Sequence, residues 1–180
     1  GAAQGHERRR NVVGGHSGHG RAAAAIGDMD HARARLAAEG IAKDAMTLID
    51  EERARTLYER MQAGKEASGG SAANTVAGIA SLGGRAAYIG KVADDQLGGI
   101  FSHDIRAIGV EFDTKPLQET PPTARSMIFV TPDGERSMNT YLGACVELGP
   151  EDIDAEIVAA SAVTYFEGFL WDPPRAKEAI

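Results

Sequence analysis

The stretch GGSAANTVAGIASLGG at residues 69–84, followed by IGKVADDQLG at residues 89–98, decides the fold of this 180-residue chain. The first motif joins a glycine pair to a helical pattern that two further glycines end. The second leaves an apolar strand, passes through Asp94 and Asp95, and enters another helix. Strands and helices that alternate in this way are typical of a parallel sheet with right-handed crossovers, so the sequence predicts an α/β fold.

The same alternation extends to both sides of this stretch. An amphipathic helix is predicted from Asp30 to Glu39, and Asp50 has the position of an N-cap that opens the next helix. The other predicted elements are an apolar segment at 46–49, helices at 71–82 and 96–108, strands at 86–92, 110–113 and 163–166, a helix from Pro150 to about 158, and a helix from Pro173.

Residues 114–142 interrupt this rhythm. Two strand-like runs, at 126–131 and 136–141, are joined by the turn sequence PDGE at residues 132–135. Such a connection is typical of a hairpin. An antiparallel insertion is therefore predicted within the α/β fold.

The first 31 residues differ in composition from the rest, with seven Gly and four of the five His. We predict an irregular, poorly ordered start over residues 1–31, followed by one domain over residues 32–180. His16 and His19 have a spacing that can hold a metal ion on a helix, but the glycines around them disfavour a helix. No metal site is predicted.

Composition argues against several classes of partner. The net charge is -7, and residues 66–180 carry 8 Lys and Arg against 17 Asp and Glu, which disfavours nucleic acid. No apolar run approaches the roughly 18 residues of a membrane helix, and no signal peptide is recognisable, so we expect a cytoplasmic protein without a membrane partner. The single Cys145 is expected to be a packed side chain and not a nucleophile.

The segment from Ser68 to Asn74 is the best candidate for ligand chemistry. Gly69 and Gly70 permit a tight turn and a close approach of a ligand to backbone N–H groups. Ser71 offers a hydroxyl, and Asn74 offers both a donor and an acceptor to a vicinal diol. An ordinary loop in which Ser71 caps a helix explains the same residues, and the residues alone leave both interpretations open.

The other glycine-rich places have simpler interpretations. Gly83 and Gly84 are expected to end a helix, and Gly98 to allow close packing. The Asp pair at 94–95 either caps a helix or faces a ligand at the strand end where open α/β sheets bind ligands. Arg136, beside the hairpin turn, is long enough to reach a ligand under the hairpin.

The order and spacing of these motifs resemble those of the ribokinase-like (PfkB) family of carbohydrate and nucleoside kinases. The resemblance covers residues 40–180 and includes TARSMIFVTPDGERSMNTYLG at 123–143 and FEGFLWD at 166–172. Within the family, adenosine-kinase-like and sugar-kinase-like members are most similar. The resemblance implies an α/β sandwich with the antiparallel insertion as a lid. It also implies a sugar or nucleoside site made by Gly69, Gly70, Ser71 and Asn74, with Arg136 on the lid side.

The family transfers the γ-phosphoryl group of ATP to a primary hydroxyl, so the resemblance implies ATP and Mg²⁺ as cofactors. Nothing in the chain matches the Gly-Ala-Gly-Asp motif that carries the family's catalytic base and anion hole, which normally lies well beyond Ile180. The family's first strand also supplies an aspartate to the sugar, and the Gly- and His-rich start offers no clear counterpart. No catalytic residue is assigned.

The expected function is therefore the N-terminal substrate-binding and lid portion of a sugar or nucleoside kinase, inactive by itself. A different class of protein is also considered, namely a non-catalytic ligand-binding or dimerisation module made from the lid. Lids of this family can pair between subunits, so the resemblance also implies a homodimer in which a second copy of the chain is the partner.

Overall fold

Two sheets organise the chain in the computed structural model, which describes residues 10–14, 18–23, 28–168, 171 and 173–180. The strands are β1 (Arg10–Gly14), β2 (Gly18–Ala23), β3 (Met46–Leu48), β4 (Gly64–Gly69), β5 (Ala86–Ile89), β6 (Arg125–Val130), β7 (Arg136–Tyr141) and β8 (Ser161–Phe166). The α-helices are α1 (Met29–Ala38), α2 (Glu51–Arg60), α3 (Ser71–Ser81), α4 (Gln96–Ala107), α5 (Ala155–Ala159) and α6 (Pro174–Ala179), and two 3₁₀ turns lie at Gly143–Glu147 and Pro150–Asp152.

The first sheet has the strand order β5-β1-β8 and is parallel throughout. All four residues of β5 are buried, because helices cover both faces of the strand. On one side α3 and α4 pack around the rings of Tyr88, Phe101 and Phe112, whose centroids lie 5.6 to 5.9 Å apart. On the other side Ala87 and Ile89 contact the segment that leads into α5. This sheet and the helices that cover it are called the frame below.

The second sheet, called the lid sheet below, has the order β3-β7-β6-β2-β4. The pairs β2–β4 and β6–β7 are antiparallel, whereas β2–β6 and β3–β7 are parallel. Helices α1 and α2 cover one of its faces, where Leu36 and Leu57 pack on Met127 and Phe129. The hairpin β6–β7 is the predicted antiparallel insertion, and the lid sheet enlarges it by three more strands.

Capping residues and glycines in the sequence predicted most helices correctly. The Asp50 side chain accepts a hydrogen bond from Arg53 N at 2.7 Å, so the predicted N-cap of α2 is confirmed. Gly83 has φ 77° just after the end of α3, as expected of a glycine that stops a helix. A Cβ atom at Gly98 would lie 2.0 Å from the Ala93 carbonyl oxygen, which confirms the predicted close packing.

The start of the chain differs from its prediction. Residues 1–31 contain β1, β2 and the first turn of α1, so the prediction of an irregular segment is wrong for the part that the structure describes. Their poor order stays a prediction, and residues 1–9, 15–17 (with His16) and 24–27 lie outside the described residues. The glycine-rich strands lack apolar alternation, and each is paired with a strand on both sides, so tertiary pairing decides their conformation.

One strand was missed, and two smaller predictions need correction. Strand β4 was not predicted, since GKEASG carries glycines at both ends and charges within. The predicted strand at 110–113 is a single bridge between Ala87 and Glu111. The predicted helix from Pro150 to about 158 is a 3₁₀ turn followed by the separate helix α5, which begins after the N-cap Asp154.

Cys145 is a packed residue, as predicted. Its thiol donates to the Leu142 carbonyl at 2.7 Å, and burial raises the pKa of this thiol to about 12. A thiol with that pKa is protonated at neutral pH and is a poor nucleophile. Within the described residues, no helix combines the length and the apolar character that crossing a membrane requires.

Strand β8 pairs with β1 alone among the described residues, and Val163, Tyr165 and Phe166 on it are 58%, 46% and 51% exposed. An open edge with apolar side chains is a template for association.

We expect the purified chain to self-associate and to bind a dye for apolar surface, and we expect Val163→Lys to raise the monomer fraction in sedimentation velocity. Leu82→Lys, which changes an 88% exposed residue beyond the end of α3, is the matched control. A cooperatively melting, monodisperse monomer without dye binding would contradict this expectation.

Candidate functional site

The name glycine loop is used for residues 68–71, which are the last two residues of β4, Gly70, and the first residue of α3. Gly70 has φ 113° and ψ 140°, a backbone conformation that side chains disfavour, so glycine is required at this position. Gly70 is also the N-cap of α3 and provides no side-chain cap for the helix. The first N–H groups of α3 therefore lie at a helix N-terminus that suits an anion or a hydroxyl oxygen.

Two serines tie this loop to other elements. The Ser71 hydroxyl donates to the carboxylate of Glu167, a buried residue that directly follows β8. The Ser68 hydroxyl donates to Asp104 Oδ2 on α4 at 2.6 Å. The contact with Glu167 places the loop at the carboxyl end of a strand of the parallel sheet, where open α/β proteins bind their ligands.

A cavity of about 400 Å³ adjoins the loop. Its polar wall includes Gly69 and Asn74 together with the hydrogen-bonded pair of Ser68 and Asp104. Its apolar wall is made by Phe101 and Ile105 on α4 and by Ile108, the C-cap residue of that helix, and the alanines at 67, 73 and 77 also line the cavity. A concave site with one apolar wall and a few amide, hydroxyl and carboxylate groups suits a small organic ligand that carries hydroxyls.

The structure brings part of the predicted site together. Gly69 and Asn74 line the cavity, while Gly70 and Ser71 lie in the same loop but are not among the lining residues. Arg136 is exposed at the start of β7, opposite Val130 beside the hairpin turn, and does not line this cavity. The binding roles of these residues stay predictions.

Two residues near the loop were not predicted. Glu167 had a detectable signal, because it comes directly after the predicted strand 163–166 and the carboxyl ends of parallel strands carry functional groups. Asp104 had none, since a polar residue in the second half of an amphipathic helix is typical of a solvated face. Only the fold brings Asp104 to Ser68.

The Asp pair after β5 has a structural role at its second member. Asp95 Oδ1 caps α4 by accepting from Gly98 N at 2.8 Å, and it also accepts from the Thr123 hydroxyl at 2.7 Å. Its other oxygen, Oδ2, accepts from Thr123 N at 2.8 Å. Three donors therefore occupy the Asp95 carboxylate, which favours the helix-cap interpretation over the ligand interpretation and fixes the start of β6 to α4.

The turn of the β6–β7 hairpin is held by an ion pair. Lys43 Nζ lies 2.6 Å from Asp133 Oδ2, and the Thr131 hydroxyl donates to the same carboxylate. The hydrogen bond from Lys43, followed by that from Thr131, lowers the pKa of Asp133 from 3.8 to about 2. The turn is thereby attached to the segment that leads into β3.

The described residues do not fit a metal centre. No group of three or more His, Cys, Asp or Glu side chains in this part of the chain is arranged to hold a metal ion. The Gly-Ala-Gly-Asp sequence is also missing from the chain. No residue here is therefore assigned to Mg²⁺ or to the phosphates of ATP.

Residues 33–179 match the model of the pfkB family of carbohydrate kinases, which accounts for most of the chain. The chain belongs to this family. The match begins in α1 and ends in α6, so it includes the lid sheet from β3 onward, the glycine loop and the end of β8. The resemblance inferred from the sequence motifs is confirmed.

Solved structures agree with this membership. An adenosine kinase from Sinorhizobium meliloti is 63% identical with a TM-score of 0.85, over 96% of this chain and 51% of that one. A probable sugar kinase from Rhizobium etli CFN 42 is 60% identical, also with a TM-score of 0.85, over 96% of this chain and 50% of that one. The predicted ribokinase-like α/β fold with its lid is confirmed.

Curated relatives match a shorter segment. Probable fructokinase-3 from Arabidopsis thaliana is 30% identical over 103 residues, which are 56% of this chain and 30% of that protein. The chain thus spans about half the length of these two solved kinases and less than a third of this fructokinase in the aligned part.

Removing the Lys43 amine is expected to raise the pKa of Asp133 from about 2 towards 3.8, because the largest cause of the lowered pKa is lost. Since the folded-state pKa is the lower one, the pair stabilises the chain above about pH 4 and loses this effect as the pH falls through 2. We propose to follow the Asp133 carboxyl by NMR titration in Lys43→Met. Lys177→Met, on α6, is the control, and an unchanged Asp133 titration in Lys43→Met would show that the ion pair does not form.

Proposed function

We propose that this chain forms the substrate-binding and lid portion of an ATP-dependent kinase that phosphorylates a primary hydroxyl of a sugar or of a nucleoside such as adenosine. Membership of the pfkB family supports the reaction class. The observation that carries the proposal is the position of the glycine loop. Through Ser71 and Glu167, the loop lies at the carboxyl end of β8, beside a cavity of about 400 Å³.

Four of the predicted site residues have a chemical role in this proposal. Asn74, exposed on the first turn of α3 and lining the cavity, donates to one hydroxyl of a vicinal diol and accepts from the next. Gly69 and Gly70 let the substrate approach the backbone closely enough to use its N–H groups. Arg136 supplies a positive charge from the lid hairpin when that hairpin lies over the substrate.

Phosphoryl transfer needs more than these residues provide. Oriented N–H donors must face the γ-phosphate, and a carboxylate must lie beside the attacking hydroxyl. Asp95 and Asp133 are already bound by other groups of the chain, and neither precedes a Gly-rich anion hole. We therefore propose that ATP and Mg²⁺ are cofactors of the full kinase and that this chain by itself binds substrate without turnover.

A second candidate function is supported by the edge of the lid sheet. Among the described strands, β3 pairs with β7 alone, and its Met46 and Leu48 are 51% and 57% exposed. An apolar edge of this kind suits a second copy of the chain, which would make the lid a non-catalytic dimerisation module. Association that Leu48→Lys abolishes and Val163→Lys leaves intact distinguishes this pairing from association through β8.

Asn74→Ala is expected to weaken binding of adenosine or of the accepted sugar by about 1 to 3 kcal/mol, because it removes a donor and an acceptor at once. Calorimetry is to be done on this chain and on a fusion in which the second half of the Sinorhizobium meliloti adenosine kinase follows Ile180. Gln118→Ala, which removes an exposed amide outside the loop, is the control. Unchanged affinity for every ligand that binds would refute the role of Asn74.

The 180-residue chain alone is expected to show no ATP-dependent phosphorylation of adenosine, ribose, fructose or ketodeoxygluconate, because no catalytic base is identified in it. A coupled assay for ADP release measures this, with the Sinorhizobium meliloti adenosine kinase as the positive control for adenosine. Turnover above background that disappears when Asp94, Asp95 or Asp133 is changed to Asn would show that the base lies within the chain.

A further inference from the structure

The glycine pair lies between two hydrogen bonds of the same kind. On one side the Ser68 hydroxyl donates to Asp104, 36 positions along the chain, at 2.6 Å. On the other side the Ser71 hydroxyl donates to Glu167, 96 positions along the chain. Hydrogen bonds to a carboxylate are stronger than neutral ones, so both ends of the loop have a charge-assisted attachment.

Pairing with β2 holds Ser68 and Gly69 as the last residues of β4, whereas Gly70 lies between β4 and α3. Gly69 and Gly70 carry no side chains, and glycine loses more conformational freedom on ordering than any other residue. Gly70 also makes no side-chain cap for α3. A loop of this composition does not select one backbone conformation through its own sequence, so the selection has to come from its surroundings.

Both carboxylates belong to the frame. Asp104 lies between Phe101 and Ile105 on α4, two residues that are buried in the aromatic core of the parallel sheet. Glu167 directly follows β8 and is only 9% exposed. Two elements that meet only in the folded chain therefore hold the two sides of the loop at a defined separation.

We propose that Asp104 and Glu167 are positioning residues that keep Gly69 and Gly70 in the ligand-binding conformation before the ligand arrives. What the loop binds rests on the proposed function, whereas the clamp is a property of the chain without ligand. A loop ordered in advance spares the ligand the entropy of ordering it. Loss of the Glu167 carboxylate, which does not line the cavity, therefore lowers affinity without removing a cavity-lining group.

The first measurement is amide hydrogen exchange of residues 69–71 in the chain without ligand. Asp104→Ala and Glu167→Ala are each expected to speed this exchange about tenfold, which corresponds to the loss of one hydrogen bond to a charged group. Asp104→Asn and Glu167→Gln are expected to restore slow exchange, because a carboxamide oxygen still accepts from the serine. Glu151→Ala is the control, since its carboxylate is bonded to Arg175 and not to the loop.

Ser68→Ala and Ser71→Ala test the same bonds from the donor side if an alanine at 104 or 167 prevents folding. Exchange of residues 69–71 that stays at the wild-type rate in the serine variants, at an unchanged melting temperature, would overturn the proposal. Faster exchange that the amide variants do not restore would overturn it as well, since the effect would then not come from the accepted hydrogen bond.

Binding of adenosine to the fusion with the Sinorhizobium meliloti second half separates this proposal from the proposed function. About tenfold weaker binding in Glu167→Ala, restored in Glu167→Gln, supports both. If exchange responds but neither adenosine, ribose nor fructose binds, the clamp stands and the proposed function fails. If adenosine binds while exchange does not respond, the proposed function stands and the clamp fails.

Discussion

The parallel pairing of β1 between β5 and β8 is the constraint on which the site depends. Val12 lies opposite Ala87 on one side and Thr164 on the other, so the beginning and the end of the chain meet in one sheet. Backbone hydrogen bonds make this pairing, and they tolerate a strand with few apolar side chains. Since the strands are parallel, their carboxyl ends lie at one edge of the sheet. Glu167 directly follows β8 at this edge, where its carboxylate accepts a hydrogen bond from Ser71 of the glycine loop.

Besides Asp104, which binds Ser68 of β4, a second carboxylate connects this frame to the lid sheet. Asp95 caps α4 and accepts both the backbone N–H and the hydroxyl of Thr123, which itself accepts from Ala93 N at 2.9 Å. Thr123 is fully buried and stands two residues before β6. The lid strand therefore starts from a fixed point on the frame, while the hairpin turn at its far end is held by Lys43 within the lid itself.

Sequence prediction succeeded wherever the deciding interaction is local. The caps at Asp50 and Asp95 bond to N–H groups three residues away, and the glycine at position 83 ends α3 within one turn. The hairpin turn at 132–135 is equally local. Prediction failed for β1, β2 and β4, whose glycine-rich sequences have no strand period of their own and become strands by pairing with distant neighbours.

The sequence by itself determined the α/β pattern, the pfkB family and the segment that carries Gly69, Gly70, Ser71 and Asn74, because each is encoded in short motifs and their spacing. The tertiary structure alone decided which carboxylates bind the serines beside Gly69 and Gly70 and which face of α4 lines the cavity. It also decided that Arg136 lies outside this cavity. The physical reason is distance along the chain. Caps and turns close over three or four residues, whereas the bonds from Ser68 and Ser71 span 36 and 96 positions and exist only once both sheets have formed.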